Sequence, residues 1–135
     1  MHATADLPGA ALPLRILVAE DHLDSRDALR ALLEAFGYAV LVAGNGKEAI
    51  EAALRAAPDL ILMDMMMPVM DGFEATRQLR LLRQTSATPI IAVTAMEGAQ
   101  ELALNAGADE YVRKPIDVRL LLSKVRELLQ RGEDA

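Results

Sequence analysis

The chain has 135 residues, and 53% of them are hydrophobic but only 3% aromatic, so its length suits one domain with a core of aliphatic side chains and methionine. A formal net charge of −6 argues against non-specific binding to nucleic acid or to an anionic membrane surface. The absence of cysteine excludes disulfides and thiolate metal sites, and no apolar run is long enough to cross a membrane.

The first 14 residues carry Pro8, Gly9 and Pro13 among small side chains, which indicates a disordered tail or a linker. They lack the basic region and the apolar stretch of a signal peptide, so we expect a cytoplasmic protein. We predict that the folded domain spans residues 15–131 and that residues 132–135 form a polar tail.

Five short apolar runs without helical spacing are distributed along the chain. Runs of this kind are typical of strands that are buried on both faces of a parallel sheet. The clearest is LILM, which ends abruptly at Asp64 and is followed by Pro68 and the turn signal Asp71-Gly72. The predicted strands are 15–19, 38–43, 60–63, 89–93 and 110–113.

Segments with apolar side chains every three or four residues follow each predicted strand and indicate helices. We expect Asp24 or Ser25 to cap the first helix and Phe36 to lie on its apolar face. In the third helix, Leu79 is predicted to face the core and Arg80 the solvent. Five consecutive βα units predict an α/β fold, a flavodoxin-like doubly wound sandwich with a parallel sheet of order 2-1-3-4-5.

Acidic side chains follow the first and third predicted strands: Glu20, Asp21 and Asp64. In this strand order the two strands are neighbours, and the crevice at their carboxyl ends is where ligands bind in such sheets. Three carboxylates in one crevice repel each other unless a cation compensates. Because all the ligands are oxygens, the site favours a hard ion, and Mg²⁺ suits few carboxylates combined with water and phosphate.

The fourth and fifth strands end in Thr94 and Lys114, a hydroxyl and an ammonium that suit the oxygens of a phosphoryl group on Asp64. Each feature alone has an ordinary explanation, since a threonine can be a cap and an acidic pair can favour a helix start. Five such groups at the ends of four strands favour the functional interpretation.

Four motifs, ILVAED, LILMDMMMPVMDGFEATRQLR, PIIAVTA and DEYVRKP, resemble in content, order and spacing those of the receiver domains of two-component response regulators. The resemblance covers about residues 14–130. The segment MPVMDGFEATRQLR looks most like the corresponding segment of receivers attached to hybrid histidine kinases. The other expectation is a stand-alone single-domain response regulator.

The resemblance implies that Asp64 accepts a phosphoryl group from a histidine kinase or a histidine phosphotransfer protein. The domain would catalyse only its own phosphorylation and dephosphorylation, without being an enzyme for another substrate. It also implies that Asp21 and Asp64 bind Mg²⁺ directly, that Glu20 helps through water, and that the backbone carbonyl of Met66 is a further ligand.

For the rest of the site, the resemblance implies that Thr94 and Lys114 contact the phosphoryl oxygens, with the small Ala95 beside them. Tyr111 falls on the aromatic switch position, and the output surface would be the face of the fourth helix, fifth strand and last helix. A downstream protein would bind there, and the domain would be a monomer or a phosphorylation-dependent dimer. No nucleic acid or membrane partner is expected.

Two methionines, Met66 and Met96, occupy the positions that flank the path of hydrolytic water in the family. Neither side chain binds water well, so we expect slow loss of the phosphoryl group.

Three other functions deserve comparison with this hypothesis. A phosphatase of the haloacid dehalogenase type needs an aspartate two residues after the nucleophile, where Met66 stands. A flavodoxin-like cofactor binder needs a phosphate-cradling loop after the first strand, whereas EDHLDSRD is acidic. A pseudo-receiver that serves only for docking would not need the complete set of site residues.

Overall fold

A computed structural model of the chain describes residues 12–134. The predicted N-terminal tail, residues 1–14, lies almost entirely outside these residues. Within the described part of the chain, no helix combines the length and the apolar character that crossing a bilayer requires. The elements are β1 (Arg15–Ala19), α1 (Leu23–Ala35), β2 (Ala39–Ala43), α2 (Gly46–Ala56), β3 (Leu60–Asp64), α3 (Gly72–Leu81), β4 (Ile90–Thr94), α4 (Ala99–Ala106), β5 (Glu110–Arg113) and α5 (Val118–Asp134).

The five strands form one parallel sheet of order β2-β1-β3-β4-β5, which confirms the predicted topology. Two separate apolar clusters cover its faces. One cluster joins the sheet to α2, α3 and α4, and the other joins it to α1 and α5. The sheet is therefore the middle layer of three, and its central strand β3 is buried along its whole length.

The strand ends differ from the prediction by one residue at four places, in three strands. Strand β2 begins at Ala39 because the N–H of Tyr38 donates to Leu33 O at 3.2 Å and closes the turn after α1. Strand β4 begins after Pro89, which has no N–H to donate to a sheet, and it includes Thr94. Strand β3 likewise includes Asp64, so both site residues belong to the sheet rather than to the loops.

The predicted details of α1 are wrong. The helix begins at Leu23 with His22 as N-cap and without a side-chain cap, so Asp24 and Ser25 lie inside it. Phe36 follows the helix as its C-cap and is 56% exposed. Helical spacing alone could not reveal this, because the chain leaves the helix before Phe36 can reach the sheet.

Arg80 was expected to face solvent, and this is also wrong. Its Nε donates to Gly107 O at 2.8 Å, its Nη1 to Thr88 O at 2.7 Å, and its Nη2 to Asp109 Oδ2 at 2.8 Å. A Cβ added at Gly107 would lie 2.6 Å from Arg80 Cγ, and the φ of +118° there also favours glycine. Arg80 thus holds the C-terminal end of α4 against α3.

The N-terminal end of α4 has no comparable support. Its N-cap is Gly98, with a φ of 76° and no side-chain hydrogen bond. Helix α4 is therefore fixed at the end far from the carboxyl edge of the sheet and weakly held at the end close to it.

Candidate functional site

The three predicted carboxylates meet at the carboxyl edge of the sheet. Residues Glu20 and Asp21 follow β1, and Asp64 ends the neighbouring β3, where Ala19 pairs with Met63. One carboxylate oxygen of each residue lies within 4.8 Å of the others. Glu20 and Asp64 are only 1% and 5% exposed, whereas Asp21 is open to solvent.

Backbone N–H groups hold the two buried carboxylates in place. The N–H of Met66 donates to Asp64 Oδ1 at 2.9 Å, and the N–H of His22 donates to Glu20 Oε2 at 3.1 Å. Each carboxylate therefore has one oxygen held by the chain that follows it and a second oxygen that contacts the side chain of Lys114.

Lys114 bridges these second oxygens. Its Nζ lies 2.8 Å from Glu20 Oε1 and 2.7 Å from Asp64 Oδ2. The backbone N–H of Lys114 donates to Thr94 O at 3.0 Å. Burial alone would lower the pKa of Lys114, but the hydrogen bonds and charges of Asp64 and Glu20 outweigh it and raise that pKa above its usual value. Lys114 is thus an ammonium at neutral pH and compensates part of the acidic charge.

Thr94 reaches the same edge from β4, on the other side of β3 from β1. Its side chain is fully buried, and its Oγ1 accepts a hydrogen bond from the N–H of Met96 at 3.0 Å. A hydroxyl that accepts in this way still has its own hydrogen to donate. Ala95, the next residue, is exposed and adds only a methyl group beside the site.

The loop after Thr94 is also linked to β5. Tyr111 is half-buried against the apolar cluster of α2, α3 and α4, and its hydroxyl donates to Met96 O at 3.5 Å. Met96 is half-buried, whereas the side chain of Met66 is 53% exposed. The backbone of residue 96 therefore connects Thr94 to Tyr111.

The family model of the response regulator receiver domain matches residues 16–126. The chain belongs to this family. The resemblance seen in the sequence is thereby confirmed, and the phosphatase and cofactor-binder alternatives are not favoured.

Curated relatives of this receiver domain are longer proteins. The chain is 40% identical over 122 residues to the response regulator MprA of Mycolicibacterium vanbaalenii, covering 89% of this chain and 52% of that protein. It is 44% identical over 120 residues to the transcriptional regulatory protein ResD of Bacillus subtilis, covering 87% and 49%. The receiver domain thus spans about half the length of the curated relatives it matches.

Solved structures of receiver domains have the same fold. The CheY-like receiver domain protein of Methanospirillum hungatei superposes with a TM-score of 0.83 at 32% identity, covering 90% of this chain and 98% of that one. The receiver domain of the sensor histidine kinase PA1611 of Pseudomonas aeruginosa has a TM-score of 0.76 at 36% identity, with 88% and 96% covered. That structure holds a magnesium ion in its active-site cleft.

The carboxylates of this receiver domain fit a hard divalent cation. All three side chains offer oxygen ligands within 4.8 Å of one another, and the exposed Asp21 leaves one side of the cluster open to water. Few carboxylates with room for water match the preference of Mg²⁺. The acidic cluster is thus suited to the ion that the sequence predicts.

Sequence reasoning missed the role of Gly72 in this receiver domain and treated Asp71-Gly72 only as a turn signal. A Cβ at Gly72 would lie 2.3 Å from the backbone oxygen of Asp64 and 2.7 Å from the Cα of Met65. Only glycine lets α3 begin so close to the end of β3. The pair Asp71-Gly72 at the start of the helix was the available signal, but the sequence does not show that Asp64 and Met65 lie opposite Gly72.

Proposed function

We propose that this receiver domain accepts a phosphoryl group on Asp64 from a phosphohistidine of a histidine kinase or a histidine phosphotransfer protein. The observation that carries the proposal is the convergence of charge on one side chain. Asp64 lies within the acidic cluster, and its Oδ2 is 2.7 Å from the ammonium of Lys114. A carboxylate in this setting is a suitable covalent acceptor of phosphate.

In the proposed transfer, an oxygen of Asp64 forms a bond to phosphorus while the bond from phosphorus to the histidine nitrogen breaks. The ammonium of Lys114 and the hydroxyl of Thr94 stabilise the negative oxygens of the group in transit. Asp21 and Asp64 would hold Mg²⁺ directly, Glu20 through water, and Met66 through its carbonyl. When bound, the ion supplies charge neutralisation between the carboxylates and the phosphoryl oxygens.

A small phosphodonor tests this function without knowledge of the natural kinase. We expect acetyl phosphate with Mg²⁺ to add one phosphoryl group, measured by intact mass. Chelation of the metal should stop the uptake, because an anionic donor would then approach an acidic cluster. Uptake at the same rate in the presence of excess chelator would contradict the proposed metal site.

The lifetime of the phosphoryl group gives a second prediction. We expect the double variant Met66→Asn/Met96→Glu to lose phosphate about tenfold faster, because the new polar groups can orient attacking water where the thioethers cannot. Decay after removal of the donor is measured by intact mass.

Val69→Asn is the matched control for this experiment, since Val69 is 80% exposed on the same loop and its φ of 68° is tolerated by asparagine. The control should decay at the original rate. Equal or slower decay in the double variant would contradict the role assigned to the two methionines.

The output of the domain is proposed to run through Thr94 and Tyr111. A phosphoryl group on Asp64 would give Thr94 a charged acceptor, and such a hydrogen bond is worth about 1.5–3 kcal/mol against about 1 for a neutral one. Movement of Thr94 would disturb the backbone of Met96, to which the Tyr111 hydroxyl donates. Tyr111 could then turn inward and change the face formed by α4, β5 and α5.

Backbone amide NMR with and without beryllofluoride, a mimic of the phosphoryl group, tests this switch. We expect large shifts to cluster at residues 94–118, because α4 is weakly held at its N-terminal end and fixed by Arg80 at the other. Tyr111→Ala should remove the shifts beyond the site itself. Shifts confined to the neighbours of Asp64 would contradict the switch.

A docked partner or a phosphorylation-dependent dimer would use the face formed by α4, β5 and α5.

A further inference from the structure

The run of methionines after β3 differs sharply in exposure from one residue to the next. Met63 and Met65 are fully buried and Met67 is 9% exposed, whereas Met66 is 53% exposed. Met70 and Met96 are half-buried. Among the methionines of residues 12–134, Met66 is therefore the one most accessible to a dissolved oxidant.

The backbone that carries the exposed Met66 side chain contacts the phosphoacceptor. The N–H of Met66 donates to Asp64 Oδ1 at 2.9 Å, so the backbone from which this side chain projects is held against the carboxylate. The following Pro68 and Val69 are exposed as well, which leaves the surroundings of Met66 open to solvent. The exposed side chain two residues after Asp64 is therefore a thioether, which is only a weak hydrogen-bond acceptor for water.

We propose that Met66 is an oxidation site through which peroxides shorten the lifetime of the phosphorylated domain; this proposal rests on the phosphorylation of Asp64 proposed above. The thioether sulfur gives two electrons to the peroxide, the O–O bond breaks, and one oxygen becomes the sulfoxide oxygen while the other leaves as water or an alcohol. Methionine sulfoxide reductases reverse this oxidation.

The product differs from the thioether in the property that matters for hydrolysis. A sulfoxide oxygen is a strong hydrogen-bond acceptor, so oxidised Met66 can hold and orient a water molecule beside the aspartyl phosphate. One such hydrogen bond in the hydrolytic transition state corresponds to about a fivefold faster loss of phosphate. Oxidation of Met66 would thus link the lifetime of the phosphorylated domain to peroxide, in a chain that has no cysteine.

The first arm of the test concerns oxidation alone and needs no phosphorylation. The whole chain is treated with dilute hydrogen peroxide, the peroxide is removed with catalase, and fragment masses report the modified positions. Among the methionines of residues 12–134, we expect Met66 to be oxidised first, with Met63, Met65 and Met67 unmodified. Oxidation of Met70 or Met96 as fast as that of Met66 would overturn the proposed selectivity.

The second arm compares phosphate decay before and after oxidation of the same protein. Oxidised and untreated samples are phosphorylated with acetyl phosphate and Mg²⁺, the donor is removed, and intact mass follows the loss. The rate should rise about fivefold on oxidation and return to its first value after treatment with methionine sulfoxide reductase. Met66→Leu, compared with itself, should show no rise, whereas Met70→Leu should keep the fivefold rise.

The outcomes separate this proposal from the function on which it rests. No uptake by the untreated domain would overturn the phosphorylation of Asp64. Normal uptake with an unchanged decay after complete oxidation of Met66, or an equal rise in Met66→Leu, would overturn the oxidation site alone. Loss of uptake in the oxidised sample would also overturn it, because the sulfoxide would then act on phosphorylation instead of on hydrolysis.

Discussion

We expect Asp64→Asn to take up no phosphoryl group from acetyl phosphate and Mg²⁺, whereas the unmodified domain takes up one. The amide keeps an oxygen that can accept the hydrogen bond from the N–H of Met66, so the end of β3 should stay in place. It lacks the anionic oxygen that attacks phosphorus, and it removes one of the three acidic groups of the cluster. The variant should therefore be folded but inactive as an acceptor.

Intact mass measures the uptake, and release of the group by hydroxylamine identifies it as an acyl phosphate. Asp27→Asn is the matched control, because Asp27 is an exposed aspartate in the middle of α1. This control should be labelled like the unmodified domain. Equal labelling of Asp64→Asn would show that another side chain is the acceptor.

Replacement of Lys114 should have a large effect on the stability of the folded domain. We expect Lys114→Met to lower the free energy of unfolding by about 3–5 kcal/mol in metal-free buffer, because it leaves two buried carboxylates without their counter-ion, although the Lys114 side chain itself is 25% exposed. The methionine fills a similar volume but leaves Glu20 and Asp64 buried side by side without the ammonium that bridges them. Chemical denaturation with a chelator present measures the loss.

Lys124→Met provides the control, since Lys124 Nζ forms a partly exposed ion pair at 2.7 Å with Glu110 outside the site. It should lose only about 1 kcal/mol or less. A loss for Lys114→Met no greater than that of the control would contradict the bridging role. Mg²⁺ should restore part of the stability of Lys114→Met, because an ion that binds only the folded state stabilises it.

The dependence of this loss on pH follows from the raised pKa of Lys114. A lysine whose pKa is higher in the folded state contributes stability below its unfolded value of 10.5, and this contribution disappears as the pH rises through the folded value. Lys114 should therefore add no slope between about pH 6 and 9. Denaturation curves of the unmodified domain and of Lys114→Met at several pH values measure this slope.

The sequence by itself determined the sheet and the identity of its acidic edge. A strand buried on both faces appears as a continuous apolar run, and LILMD contains a single charged residue, at its end. A carboxylate there must lie at the carboxyl edge, because the interior of the sheet offers it no water. The alternation of strands and helices then restricts the strand order, so the meeting of Glu20, Asp21 and Asp64 could be predicted.

Only the tertiary structure decided which long side chains reach which partners. Lys114 is 94 residues from Glu20 yet bridges it to Asp64, and Arg80, expected in solvent, spans from α3 to the end of α4. The exposure of Met66 between buried methionines was equally invisible in the run MDMMM. Helical and strand periodicity report the face of a residue's own element, whereas the end of a flexible side chain is placed by distant segments that pack around it.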